Sequence, residues 1–253
     1  MRIKLSNLTF ILVTASVSVS VSVSAQNNSL KVYGPGGPAP ALIEVAKSFE
    51  KEKGIKVDII FGPQNKWEQE AKNNADLIFS GSEIMQHSQH KFFSLSNKKA
   101  LYLRPSVIIV RKGNPKSING IKDIINNNIK TLVVNGAGQA GLWEDIIAKS
   151  GNIIDINKFN KNIYSTNNSA QALKEWNTNK DIDAWIIWNH WHNKVKTNSD
   201  LVKMEDNYRL YRPISIAYTN KGLKINESKK FVNYLSSLNA QIIFEKHGWK
   251  KEW

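Results

Sequence analysis

The chain has 253 residues, of which 41% are hydrophobic, with no cysteine and with 35 basic against 21 acidic side chains, a formal charge of +14. The lack of cysteine excludes disulfides, thiol nucleophiles, thiolate metal sites and lipid attachment through a cysteine. The positive field favours anions in general, but the lysines are scattered over expected outer helix faces (Lys47, Lys51, Lys53, Lys229, Lys230), which does not point to nucleic acid.

Residues 1–25 read as an export signal: Arg2 and Lys4, an apolar centre from Leu8 to Val13, then a Val/Ser run ending Val23-Ser24-Ala25. Cleavage is expected near Ala25, with the mature protein starting near Gln26 in the periplasm. No later apolar run is long enough to cross a bilayer. The remaining length suits two domains of about a hundred residues each.

The stretch Leu30 to Phe61 sets the fold class. An apolar strand meets the break Gly34-Pro35-Gly36-Gly37-Pro38-Ala39-Pro40, then a helix patterned by Leu42, Ile43, Ala46 and Phe49, with Gly54 as its C-terminal stop and a strand over Ile55, Val57, Ile59 and Phe61. Glycines let the backbone approach a ligand, while the free N–H groups and positive dipole of the following helix favour an anion. Pro38 and Pro40 suit such a start, where the N–H groups have no helical partner.

A second break, Gly62-Pro63-Gln64-Asn65-Lys66, repeats the arrangement, and Ala75-Asp76-Leu77-Ile78-Phe79 reads as a short, mainly apolar strand ending at Ser80-Gly81-Ser82-Glu83. A third unit runs from Thr131 to Asn135 through Gly136-Ala137-Gly138-Gln139-Ala140-Gly141 into a helix marked by Leu142, Trp143, Ile146 and Ile147. Asn168 to Asn179 is a helix with Ala172, Leu173 and Trp176 on one side. The strand Ile182 to Trp188 then empties into Asn189-His190-Trp191-His192, and Glu227 to Trp249 is helical with Phe231, Leu235, Leu238 and Ile242 inward, restarting at Asn239.

Two segments resemble each other: Leu101 to Val110 and Leu210 to Tyr218 each carry Arg-Pro followed by a strand. They are expected to be crossings between lobes, giving a first lobe of residues 26–104 plus 213–253 and a second of 105–212.

Taken in order, Leu30 to Phe61, Ala75 to Ser82, Ala137 to Ala148, Asp183 to Asn189 and Asn239 to Trp249 resemble periplasmic solute-binding proteins of the molybdate and sulfate type. The Tyr-Gly-Pro-Gly-Gly-Pro start and the Trp-Ile-Ile-Trp-Asn-His-Trp segment more closely resemble the accessory colonisation factor C branch. The resemblance implies an α/β, type II periplasmic binding protein: two lobes, each a mostly parallel sheet flanked by helices, joined by two crossover strands, with a ligand in the cleft at the carboxyl ends of the strands.

Carried over position by position, the implied ligand-binding residues are Gly36, Gly37, Gln64, Asn65, Ser80, Gly81, Gly138, Gln139, Trp188 and Asn189. Arg104 and Arg212, at the crossings, are added as a bidentate clamp for a carboxylate or sulfate. Molybdate binders resemble one another in offering serine hydroxyls in the first two loops and a tyrosine at the Trp188 position. Gly37, Pro63-Gln64 and Trp188 therefore shift the expectation to a sulfate-like ion or a small organic anion. The expected product is a monomer without cofactor, serving a membrane permease or a chemoreceptor, in uptake, sensing or host colonisation.

Two competing readings come from the same residues. His87-x-x-His90 and His190-x-His192 have spacings at which imidazoles share a metal ion, and their convergence would make a four-histidine site. Adhesion, or docking of the loaded protein on a receptor, is the other. The chain has no Gly-x-Ser-x-Gly elbow, no His-Glu-x-x-His helix and no phosphate-loop lysine motif, so a binder rather than an enzyme is expected.

Overall fold

A computed structural model describes residues 29–253, so the expected export signal and its cleavage point lie outside the described residues. In chain order the strands are β1 (Leu30–Gly34), β2 (Val57–Phe61), β3 (Leu77–Ser80), β4 (Ser96–Arg111), β5 (Thr131–Val134), β6 (Ile163–Thr166), β7 (Ala184–Trp188), β8 (Ser199–Val202) and β9 (Tyr211–Tyr218). The helices are α1 (Ala39–Lys53), α2 (Glu68–Asn74), α3 (Glu83–His90), α4 (Ile121–Asn126), α5 (Leu142–Ala148), α6 (Ile153–Asn160), α7 (Ser169–Thr178), α8 (Asn226–Tyr234) and α9 (Leu238–Lys246).

The strands lie in the order β2-β1-β3-β9-β4-β7-β5-β6, with β8 also on β4. The parallel pairs β1–β2, β1–β3, β5–β6 and β5–β7 each need a crossover, which the helices supply. The 16-residue β4 belongs to both halves of the sheet. From Ser96 to Pro105 it runs antiparallel to β9, and from Ser106 to Val110 it runs antiparallel to β7. The two Arg-Pro segments are therefore adjacent strands, with Arg104 directly opposite Arg212.

The apolar side chains divide at the same place. Leu101 and Tyr102 pack with α1, α8, α9 and the β1–β3 strands, whereas Val107 to Val110 pack against α4 to α7 and the strands β5 and β7. Burial of side chains at about 1.5–3 kcal/mol each makes each side of β4 a separate core.

Local chemistry explains the element ends. Gly54 closes α1 in the left-handed conformation, φ 68°, with its N–H on the Glu50 carbonyl. Gly34 is glycine because β1 and β3 approach closely: a Cβ there would lie 2.5 Å from the Phe79 carbonyl oxygen. The C-terminal helical stretch differs from its expectation. It breaks before Ser237, whose side chain caps α9 by accepting the Ala240 N–H. The break resets the helical phase, so Ala240 and Phe244 face inward while Leu238 and Ile242 are exposed. The helices α3, α4 and α6 and the strands β6 and β8, of four to eight residues each, add to the elements expected from the sequence.

Candidate functional site

Five chain segments converge on one guanidinium. Arg104 comes from the middle of β4, where the pairing partner changes from β9 to β7, and only 2% of it is exposed. Its Nη2 donates to the Gly81 carbonyl at 2.6 Å, and its Nη1 lies 3.4 Å from His190 Nε2. Its Nε is buried without a partner. Three of the glycine loops close around it: a Cβ would lie 3.5 Å from Nη1 at Gly37, 3.2 Å from Nη2 at Gly81 and 3.1 Å from Nη2 at Gly138. The missing side chains are what admit the guanidinium.

Aromatic faces complete the cage. The Arg104 Cζ is 4.9 Å from the ring centres of both Trp188 and Trp249, and the Arg212 Cζ is 5.3 Å from Trp188. The Trp188 N–H is spent on the Gly138 carbonyl at 2.9 Å, so this indole is a platform between two arginines and offers the ligand no donor. The His190 ring lies tilted against Trp249 (ring centres 5.2 Å apart) and Trp191 (5.5 Å).

The electrostatics are unbalanced. Burial, followed by the nearby Arg212 charge, pushes the Arg104 guanidinium well below its usual range, and no carboxylate among the described residues pairs with it. Arginine stays protonated in proteins, so the cost remains as a standing demand for an anion. Arg212 is better provided for, donating to the Gly138 and Ala140 carbonyls and pairing with Asp145 at 3.3 Å. An acid partner from another element is thus present for Arg212 and, among the described residues, absent for Arg104.

His190 is driven well below its ordinary value of 6.5 by burial, then by the Arg104 and Lys194 charges, and is neutral at pH 7. With Nε2 accepting from Arg104, the proton sits on Nδ1, which has no partner. Because the unfolded chain takes up this proton near 6.5 and the folded chain does not, stability falls as pH drops below that value. Glu44 and Glu83, whose pKa values are lowered, lose their contributions only below about 4.5. A Tm that declines between pH 7 and pH 5 in the parent protein, and declines less in His190→Asn, is the expected result.

Two chambers flank the cage. One, of about 200 Å³, is bounded by Gly36, Gly37, His190, Trp191, Lys194 and Trp249 among others, at the start of α1. The other, of about 330 Å³, lies between the first two loops and α3, with Pro35, Gln64, Trp67 and Met85 on its walls.

The remaining residues marked from the sequence distribute unevenly. Gln64 lines the second chamber but donates to Glu68, and Asn65 is exposed and lines neither chamber. The Ser80 hydroxyl is committed to Gln89 at 2.6 Å. Gln139 is buried in the third loop, and Asn189 donates to the Gly248 carbonyl at 2.7 Å, with its Oδ1 unpartnered. Trp249 was missed as a site residue. It is placed by a two-way backbone bridge between Leu103 and Lys250, a contact that sequence patterning does not encode.

The four-histidine site does not form. His87 and His90 are exposed on α3, His190 is buried against Arg104, and His192 Nε2 is 3.5 Å from the Ser199 carbonyl. Among the described residues no group of three or more His, Cys, Asp or Glu side chains is placed to hold a metal ion. No helix of the described residues is long and apolar enough to cross a membrane.

The sequence model of the bacterial extracellular solute-binding proteins matches residues 30–250. The chain belongs to this family. Peb3 from Campylobacter jejuni is 33% identical, with a TM-score of 0.80 over 88% of this chain and 100% of its own. A structure of PEB3 bound to L-phospholactate gives 32% identity and the same TM-score and coverage. The periplasmic molybdate-binding protein of Azotobacter vinelandii is 16% identical, with a TM-score of 0.65 over 87% of this chain and 98% of its own, a likeness of fold alone. No curated protein matches the chain. The family and these neighbours agree with the architecture described above: the fold is that of a type II periplasmic binding protein.

Proposed function

We propose that the chain is a periplasmic binding protein that closes its cleft on a small anion of the phosphorylated hydroxy-acid class and does not transform it. The observation that carries this reading is Arg104: a guanidinium 2% exposed, paired with no acid and ringed by glycine loops. A bound oxyanion would repay the desolvation with charge-assisted bonds from Arg104 and from loop N–H groups. The PEB3 structure with L-phospholactate supports the choice of class.

In this reading residues 29–104 with 213–253 form one lobe and 105–212 the other, hinged where β4 and β9 carry Arg104 and Arg212. Gly36, Gly37, Gly81, Gly138 and Gln139 form the loop walls, and Trp188 holds the arginines in place. The closed, loaded form is what a membrane permease or a chemoreceptor would meet. The test is a thermal-shift titration of refolded, ligand-stripped protein with L-phospholactate, phosphate, sulfate and molybdate. A concentration-dependent rise with L-phospholactate is expected, as for any ligand of the native state. A flat response to all four would end this reading.

A further inference from the structure

We propose that the chamber beside His190 is a second anion-accepting subsite, which takes the carboxylate of a phosphorylated acid whose phosphate pairs with Arg104. The inference rests on the cleft reading above and deepens it. The chamber, about 200 Å³, adjoins the Arg104 cage through His190 and Gly37, which border both.

Its polar lining is dominated by donors. Two of its lining residues carry buried N–H donors, His190 Nδ1–H and Trp191 Nε1–H, that have no partner among the described residues. Lys194 also lines it, with no acid partner among the described residues, and its charge is felt at His190. Pro40 and Ala41, in the first turn of the 15-residue α1, turn the positive end of that helix toward the same space. No aspartate or glutamate lines it; Glu44, which pairs with the lining residue His247, is itself neutralised by Lys246.

The arginine fork can pair the doubly charged phosphate bidentately, and neutral N–H donors with one ammonium suffice for the singly charged carboxylate of the same ligand. The two anion subsites share His190, which accepts from Arg104 on one ring nitrogen and leaves the other N–H without a partner among the described residues. A ligand spanning both would be selected over bare phosphate. Losing a designed partner leaves buried donors unpaired, which is costly and therefore discriminating.

Calorimetric titration of the ligand-stripped full chain with L-phospholactate and, separately, inorganic phosphate tests this. The parent should bind L-phospholactate at least ~10-fold more tightly than phosphate, a difference of about one unpaired buried donor. Lys194→Ala should erode that preference with phosphate affinity kept within about twofold, whereas His190→Leu, which also takes the partner from Arg104 Nη1, should lower both affinities and that for L-phospholactate the more. His190→Asn, whose amide N–H replaces Nδ1–H, should restore much of the preference. Equal affinities for the two probes in the parent, or equal losses for both probes in His190→Leu with no rescue by His190→Asn, would overturn the subsite while leaving the cleft reading intact. Lys194 is exposed, so its variant remains informative if the His190 variants fail to fold. A parent that binds neither probe would overturn the cleft reading and the subsite with it.

Discussion

Arg104→Met should abolish anion binding while leaving the ligand-free protein as stable as the parent or more so. The two halves of this expectation have one cause. Truncating one partner of a buried, hydrogen-bonded charge pair costs about 2–5 kcal/mol, which is at least ~30-fold in affinity. In the empty protein the same guanidinium is buried with its Nε unpartnered, its Nη2 on the Gly81 carbonyl and no acid beside it. Methionine fills similar space between Trp188 and Trp249 without that desolvation, and replacing buried charge by well-packed apolar groups is often neutral or stabilising. The freed Gly81 carbonyl limits the gain. Arg104→Lys keeps the charge but loses the fork, and it should bind with an intermediate affinity. Parallel measurements of Tm and of L-phospholactate affinity decide the matter. A variant that loses stability and keeps affinity would show Arg104 to be a structural tie between the loops.

Trp188→Ala should lower Tm by about 10 °C, because deleting a fully buried tryptophan costs about 3–5 kcal/mol and each kcal/mol is worth about 2–4 °C at this size. Trp188 is 0% exposed, packs in the core around β5 and β7, and carries both guanidinium planes on its ring. Its loss therefore removes a core side chain, two cation–π contacts and the N–H bond to Gly138 together. Ligand affinity should fall as well, through Arg104 losing its platform rather than through a lost contact with the ligand. Trp188→Phe separates the effects, since it keeps a ring under the arginines and removes only the N–H. It should keep most of the affinity and lose part of the stability. A Trp188→Phe protein as stable as the parent but without affinity would make the indole N–H a ligand donor, against the geometry described here.

The glycine loops show why so much of the site could be read in one dimension. A loop that must bring backbone against a guanidinium or a ligand can use only residues without a Cβ, and such residues stand out between an apolar strand and a helix. Gly37, Gly81 and Gly138 could be marked for that reason, and the structure brings all three to within van der Waals reach of Arg104. Polar side chains carry no such signal. Ser80 and Gln64 look like ligand donors in sequence, but their hydrogen bonds are spent on Gln89 and Glu68. Which partner a hydroxyl or amide finds depends on residues several positions away on another turn, so residue type alone does not assign it.

The C-terminal helices make the complementary point. The apolar spacing of Phe231, Leu235, Leu238 and Ile242 suggests one continuous face, and a single cap at Ser237 divides it. One hydrogen bond to the Ala240 N–H outweighs the periodic pattern, because it starts a new helix in a new phase and leaves Leu238 and Ile242 in solvent.

By itself the sequence determined the alternation of strand, glycine loop and helix, the left-handed stop at Gly54 and the kinship of the two Arg-Pro strands, since each depends on neighbours within a few residues. Only the tertiary structure decided that Arg104 and Arg212 face one another across β4 and β9, that Arg212 finds Asp145 while Arg104 finds no acid, and that Trp249 and His190 close the cage. Those contacts join residues tens to more than a hundred positions apart. Their energy comes from burial and from unbalanced charge, quantities that exist only once the chain has folded around them.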